Sequence, residues 1–124
     1  MTARVFVYGT LMPAEDAWPV LARWSTGEYR TDAVPGALYD TGRGYPCATF
    51  ATAAPGLVHG VVVELDRGRL DAAFAALDRY EASEYDRIVV TTAGGIEAAT
   101  YAWVASLAGC RTLTTGHWPE PETS

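Results

Sequence analysis

The 124-residue chain has no lysine, no asparagine and no glutamine, and only two cysteines and two histidines. Each shortage removes a kind of chemistry. Without lysine there is no protein Schiff base and no phosphate-loop lysine. Without asparagine or glutamine, no side-chain amide can help to form an oxyanion hole. Cys47 and Cys110 lie far apart, match no redox or zinc spacing, and read as small buried hydrophobes. His59 and His117 are isolated in sequence, so no metal site and no cofactor is expected. No apolar run approaches the ~20 residues that span a bilayer. Met-Thr-Ala-Arg runs straight into a strand pattern with no signal-peptide apolar region, so a cytoplasmic protein without a membrane partner is expected. All nine cations are arginines, against 15 acids, for a net charge of −6. Arg67, Arg69 and Arg79 come nearest to a cluster, but Asp66, Asp71 and Asp78 interleave them as on a solvated helix face. Nucleic acid is therefore not an expected partner.

What is present fits one globular domain, with 49% hydrophobic and 19% charged residues. The bias toward alanine, arginine and glycine suggests a GC-rich bacterial source. The chain is organised around Val5-Phe6-Val7-Tyr8-Gly9-Thr10-Leu11, in which β-branched and aromatic residues favour a buried strand. Gly9 ends that strand, as a residue free to take positive φ. The loop after it offers backbone N–H groups suited to a carboxylate or oxyanion. An ordinary buried edge strand and turn fits this heptapeptide equally well.

From Glu15 to Trp24, Pro19 limits any helix to a turn or two. Gly27–Val34 reads as a strand that Pro35-Gly36 punctuates, and Ala37-Leu38-Tyr39 restarts an extended run. Tyr45 to Phe50 is extended again. Leu57–Leu65 alternates as a strand, with Leu57, His59, Val61, Val63 and Leu65 on one face; His59 there reads as a structural histidine. Leu70, Ala73, Phe74 and Leu77 recur at helical spacing within Asp66–Tyr80, with Asp66 placed to cap the start. Tyr85–Ala93 and Ile96–Val104 form a hairpin around Gly94-Gly95, a two-residue turn signal. Residues 1–118 are expected to form one domain and 119–124 a frayed tail. About seven strands and one main helix predict an α+β fold, a small mixed β-barrel with the helix packed on it.

One residue conflicts with this pattern. On a helical wheel Glu81 falls about 40° from Leu77, between Leu70 and Phe74, on the apolar side. It also sits near the helix C-terminus, where the dipole disfavours negative charge. Both effects raise its affinity for a proton, as suits a general acid–base catalyst. A helix that ended earlier would instead leave Glu81 in solvent, paired with Arg87. Glu64 and Glu84 show no such conflict and read as surface residues.

The ordered set Phe6-Val7-Tyr8-Gly9-Thr10-Leu11, Gly36-Ala37-Leu38-Tyr39, Tyr45-Pro46, His59-Gly60, Leu77-Asp78-Arg79-Tyr80-Glu81, Tyr85-Asp86-Arg87 and Gly116-His117-Trp118 resembles the gamma-glutamyl cyclotransferase-like family. The resemblance spans most of the chain. It implies a mixed barrel with a cavity at the end of the first strand, and Glu81 as the catalytic acid–base. It also implies that Tyr8, Gly9, Thr10 and Leu11 bind a glutamyl group through the backbone; Tyr85 is counted with these substrate-binding residues. The short length resembles the gamma-glutamylamine and butirosin-type cyclotransferases, which expel an amine as the substrate closes to 5-oxoproline. Met12-Pro13-Ala14 replaces a basic, glycine-containing segment of the family, and Ala82 a frequent glycine. Two other classes compete: a non-catalytic module binding an amino-acid-like or acidic metabolite in the same cavity, and an interaction domain presenting Trp18 and Trp24.

Overall fold

The computed structural model describes residues 2–119. Its elements, in order, are β1 (Arg4–Val7), α1 (Trp18–Ala22), β2 (Ser25–Asp40), β3 (Pro46–Phe50), β4 (Leu57–Leu65), α2 (Leu70–Glu81), β5 (Tyr85–Thr91), β6 (Glu97–Trp103) and β7 (Arg111–Thr112). The sheet order is β3-β2-β4-β1-β6-β5, with β7 paired to β2. It is mixed: β1 runs antiparallel to β4 and parallel to β6, with Val5 opposite both Val63 and Ala99. The seven-stranded sheet curls into a half-barrel on which α2 packs, as the patterning of the chain predicts.

The four residues of β1 separate two cores because their side chains alternate across the sheet. Val5 and Val7 pack with Val61, Val63, Leu65 and Tyr101 against Leu21 of α1 and Phe74 and Leu77 of α2. Phe6 and Tyr8 point the other way, among Val34, Leu38, Ala48, Val58, Val62 and Ala98. β4 is therefore apolar on both faces rather than one, which its run of three valines permits. The helix begins where expected: Asp66 accepts from the N–H of Gly68 and caps a 3₁₀ turn, Arg67–Arg69, that leads into α2.

Three local expectations change. Pro35-Gly36 does not divide β2, which runs unbroken for 16 residues. Instead it marks the point where the strand changes partner. Residues up to Pro35 pair with β4 and those from Gly36 onward with β3. The Gly36 N–H donates to Gly56, and a Cβ on Gly36 would lie 2.3 Å from the Thr49 carbonyl, so the crossing tolerates no side chain. The expectation for Pro19 holds: α1 is five residues long, within a turn or two, and Pro19 falls in its first turn, where proline is tolerated. The β5–β6 turn has three residues rather than two: Thr92 and Ile96 close the ladder, with Gly95 at φ 81. That is the bulged hairpin in which a glycine takes the left-handed position. The segment after Val104 contributes β7, too short to be visible as a pattern.

The two tryptophans offered as an interaction surface are half-buried. Trp18 packs edge-on against Tyr29, and the Trp24 ring has the Arg23 and Arg69 guanidiniums 4.9 and 5.1 Å from its centroid. The tail expected to fray falls, from residue 120 onward, outside the described residues. Among the described residues no helix is long and apolar enough to cross a membrane.

Candidate active site

Where the chain leaves β1, a cavity of about 460 Å³ opens between three segments: Phe6–Leu11, Gly44–Pro46 and Tyr80–Tyr85, with Tyr101 of β6 at its wall. All six candidate residues, Tyr8, Gly9, Thr10, Leu11, Glu81 and Tyr85, line it. Residues far apart in sequence meet here because β1 is central in the sheet and α2 ends over the C-terminal end of that strand.

The loop after β1 is held by its carbonyls. The Gly9 carbonyl accepts from the Met12 N–H at 3.0 Å, and the Thr10 carbonyl from the Ala17 N–H at 2.9 Å. Among the described residues, nothing accepts from the N–H groups of Gly9, Thr10 or Leu11. Backbone donors without partners beside a cavity are what an anionic or carbonyl oxygen requires. Gly9 has a role other than the expected one, since it is absent from the residues at positive φ. A Cβ there would lie 2.7 Å from Cγ and 2.9 Å from Cδ of Pro46. Glycine is needed because the ring of Pro46 packs directly on the backbone.

Glu81 is the last residue of α2 and is mostly buried. Its carboxyl has no hydrogen-bond partner among the described residues, and burial alone raises its pKa from 4.5 to about 7. Pairing with Arg87 does not occur. Arg87 instead lies over the Phe74 ring and 3.4 Å from Asp78, which also accepts from the Tyr101 hydroxyl at 2.7 Å. Ala82 follows at φ 61 and ψ −166, a backbone region that a side chain resists. A glycine at this position would relieve that strain. The helix therefore ends abruptly, with Glu81 at its rim.

Aromatic side chains form most of the remaining wall. The Tyr8 hydroxyl donates to the Tyr101 carbonyl at 2.5 Å, and that of Tyr85 to the Pro46 carbonyl at 2.8 Å. Burial first, then neighbouring negative charge including that of Glu81, holds both phenols above their ordinary pKa, so they stay neutral. The Tyr80 hydroxyl and Thr10 Oγ1 are 3.0 Å apart. Glu84 is not the plain surface residue expected. It lines the cavity and holds Arg43 in a 3.0 Å ion pair at the rim. Sequence reasoning misses Tyr80, Tyr101, Pro46 and Glu84; of these, Tyr101 is accessible through the alternation in β6. His59 and His117, isolated in sequence, stack with ring centroids 4.1 Å apart, but outside the cavity. No group of three or more His, Cys, Asp or Glu among the described residues is placed to hold a metal ion.

This fold is shared with solved structures. A uropathogenic Escherichia coli-specific protein superposes with a TM-score of 0.77 at 23% identity, covering 95% of this chain and 94% of that one. An AIG2-like protein from mouse gives 0.64 at 19% identity, over 84% and 78%. The Escherichia coli protein YtfP gives 0.61 at 26% identity, over 94% and 96%. No curated protein matches in sequence. The architecture is thus that of the AIG2-like α+β half-barrels. More narrowly, residues 5–120 match the model of the gamma-glutamyl cyclotransferase, AIG2-like family, and the chain belongs to that family.

Proposed function

We propose that the protein is a gamma-glutamyl cyclotransferase that converts a γ-glutamyl amine or amide into 5-oxoproline and a free amine. The observation that carries this reading is the buried, unpartnered carboxyl of Glu81, titrating near neutrality in a cavity shared with the unpaired N–H groups of Gly9, Thr10 and Leu11. In the proposed reaction Glu81 takes a proton from the substrate's α-ammonium. The freed amine attacks the γ-carbonyl of the same molecule, and the loop N–H groups meet the charge that develops on oxygen. Glu81 then returns the proton to the leaving nitrogen as the C–N bond breaks, and the carboxylate so regenerated takes the second proton from the ring nitrogen, which departs with the released amine as its ammonium. Nucleophile and electrophile belong to one substrate, so the protein need only fold it into ring-closing geometry, a contribution of several kcal/mol. Tyr8 and Tyr85, kept neutral, shape the wall without competing for that proton. A volume of about 460 Å³ suits a ligand of this size.

The test is incubation with a panel of γ-glutamyl amines and dipeptides, scoring 5-oxoproline by mass spectrometry. At least one should be turned over by the wild type. Glu81→Gln, which keeps the shape but cannot accept the proton, should bind that substrate and turn it over ~10²–10⁴-fold more slowly or worse. Turnover by Glu81→Gln near the wild-type kcat refutes the assignment. Binding of a glutamyl ligand without turnover of any substrate by the wild type would make the protein a binding module.

A further inference from the structure

The last turn of α2 carries two carboxyls, Asp78 and Glu81, three residues apart and so on one side of the helix. A helix C-terminus is a poor place for negative charge, and donors from the sheet keep Asp78 there. Arg87 of β5 and Tyr101 of β6 stand directly opposite each other in the antiparallel ladder, so their side chains leave the same face. Both converge on one oxygen. The Tyr101 hydroxyl donates to Asp78 Oδ1 at 2.7 Å, and Arg87 Nη1 lies 3.4 Å from the same atom. The Arg87 guanidinium also covers the Phe74 ring, one turn earlier on α2, at 4.5 Å. Two residues back along β5, on that face, Tyr85 lines the cavity with Glu81. Glu81 has no hydrogen-bond partner of its own among the described residues, so its carboxyl stands wherever the last turn puts it.

We propose that Asp78, gripped by the Tyr101 hydroxyl and the Arg87 guanidinium, is a positioning residue that sets the register of α2 on the sheet and thereby holds the Glu81 carboxyl at the cavity. Phe74 and Leu77 alone do not set that register, because apolar contact is non-directional, whereas a hydrogen bond tolerates little change in distance or angle. A single carboxylate oxygen against a cross-strand pair defines one point on the sheet. The Asp78 carbonyl accepts from the Ala82 N–H, so residues 78 to 82 form a closed turn that moves as a unit. With the grip lost, that turn moves outward and the Glu81 carboxyl meets water. A displacement of about 1 Å from reacting geometry can cost ~10²-fold in rate.

This role rests on the acid–base reading of Glu81, but its first test needs no turnover. The full-length chain is labelled with ¹³C-glutamate, and the Glu81 carboxyl signal is assigned as the one missing from Glu81→Gln. In the wild type it should titrate near 7, and in Tyr101→Phe and Asp78→Ala the midpoint should fall toward 4.5 as burial is relieved. Asp78→Asn still offers an oxygen to Tyr101 and should stay nearer the wild type than Asp78→Ala. The other titratable groups of the cavity, the phenols of Tyr8, Tyr45, Tyr80 and Tyr85 and the carboxyl of Glu84, are the same in all of these variants. Tyr101→Phe removes one oxygen, leaves the ring in the wall and changes no charge near neutrality, so its shift reports position. It decides the matter even if Asp78→Ala does not fold. With a verified substrate, Tyr101→Phe should lower kcat ~10–100-fold with KM little changed. A Glu81 titration in Tyr101→Phe that coincides with the wild type overturns the proposal, as does an unchanged kcat. A shifted titration in a protein that turns over no substrate leaves the positioning in place and removes the acid–base reading alone.

Discussion

Glu81→Gln should make the protein more stable in neutral and alkaline solution, and the gain should depend on pH in a defined way. The Glu81 carboxyl titrates near 7 in the folded chain, against an ordinary 4.5. The native state therefore holds this proton more tightly than the unfolded state. Below 4.5 both states are protonated, and the raised pKa has no effect on stability. As pH climbs from 4.5 to about 7, the unfolded chain releases the proton while the folded chain keeps it, and stability falls. Above that range the loss is complete. Each tenfold gain in proton affinity on folding corresponds to about 1.4 kcal/mol, so the loss comes to about 3 kcal/mol. Glutamine stands in for the neutral carboxyl and escapes this cost. Urea denaturation of both proteins across the range should give curves that coincide near pH 4.5 and separate by up to about 3 kcal/mol at roughly pH 8, the variant higher. Comparing the two proteins at each pH cancels the titration of every other group. A variant equal to or less stable than the wild type at the alkaline end would refute the burial of an unpaired carboxylate, and with it the physical basis for the proposed acid–base role.

Turnover should report the same carboxyl from the opposite side: kcat/KM for a verified substrate should rise with pH through about 7, as Glu81 loses its proton. A profile flat between roughly pH 5 and 9 would exclude it as the base. Gly9→Val should cost roughly 1–3 kcal/mol in a denaturation experiment and weaken ligand binding, because its Cβ meets Pro46 at 2.7 Å. Unchanged stability and binding would remove that contact from the design of the site. Ala82→Gly should stabilise by about 1 kcal/mol, since it relieves a backbone at φ 61 that disfavours a side chain. A loss of stability would show that the strain is small. Dialysis against EDTA should leave turnover intact, as no cluster of metal ligands is assembled among the described residues; activity lost and then restored by a divalent ion would contradict the metal-independent scheme.

The site is legible in the sequence where local physics and tertiary structure agree. Glu81 stands out because a helix that buries Leu70, Phe74 and Leu77 must carry position 81 toward the same side, and α2 does continue to that residue. Gly9 is indispensable for a reason other than the one its own segment suggests. The constraint comes from Pro46, more than thirty residues away, and close approach of a distant ring leaves no local trace. Glu84 and Arg43 belong to the same class, each ordinary in its own segment and paired only by the fold. Pro35-Gly36 misleads for a related reason. Such a dipeptide reports that one backbone donor is missing and that one position must be bare, conditions met as well by a strand changing neighbours as by a turn. The main helix and the strands other than β7 can be read, β2 as two runs, because alternation and helical periodicity are properties of short windows. The parallel pairing of β1 with β6, which builds the cavity, cannot.

That parallel pairing also fixes an order of events during synthesis. β1 is synthesised before both of its neighbours, β4 and β6, with Val5 opposite Val63 and Ala99. The ties that fasten β1 to β6, from Thr100 Oγ1 to the Phe6 carbonyl and from the Tyr8 hydroxyl to the Tyr101 carbonyl, wait for the last third of the chain. Until then, β1 can be sealed along one edge at most. A chain interrupted before β6 emerges presents an apolar strand with open hydrogen-bonding groups, the form most prone to associate with its own kind. With its pairings so distant in sequence, the half-barrel is a slow-folding topology, and the cavity beside Glu81 is completed only when β6 finally encloses β1.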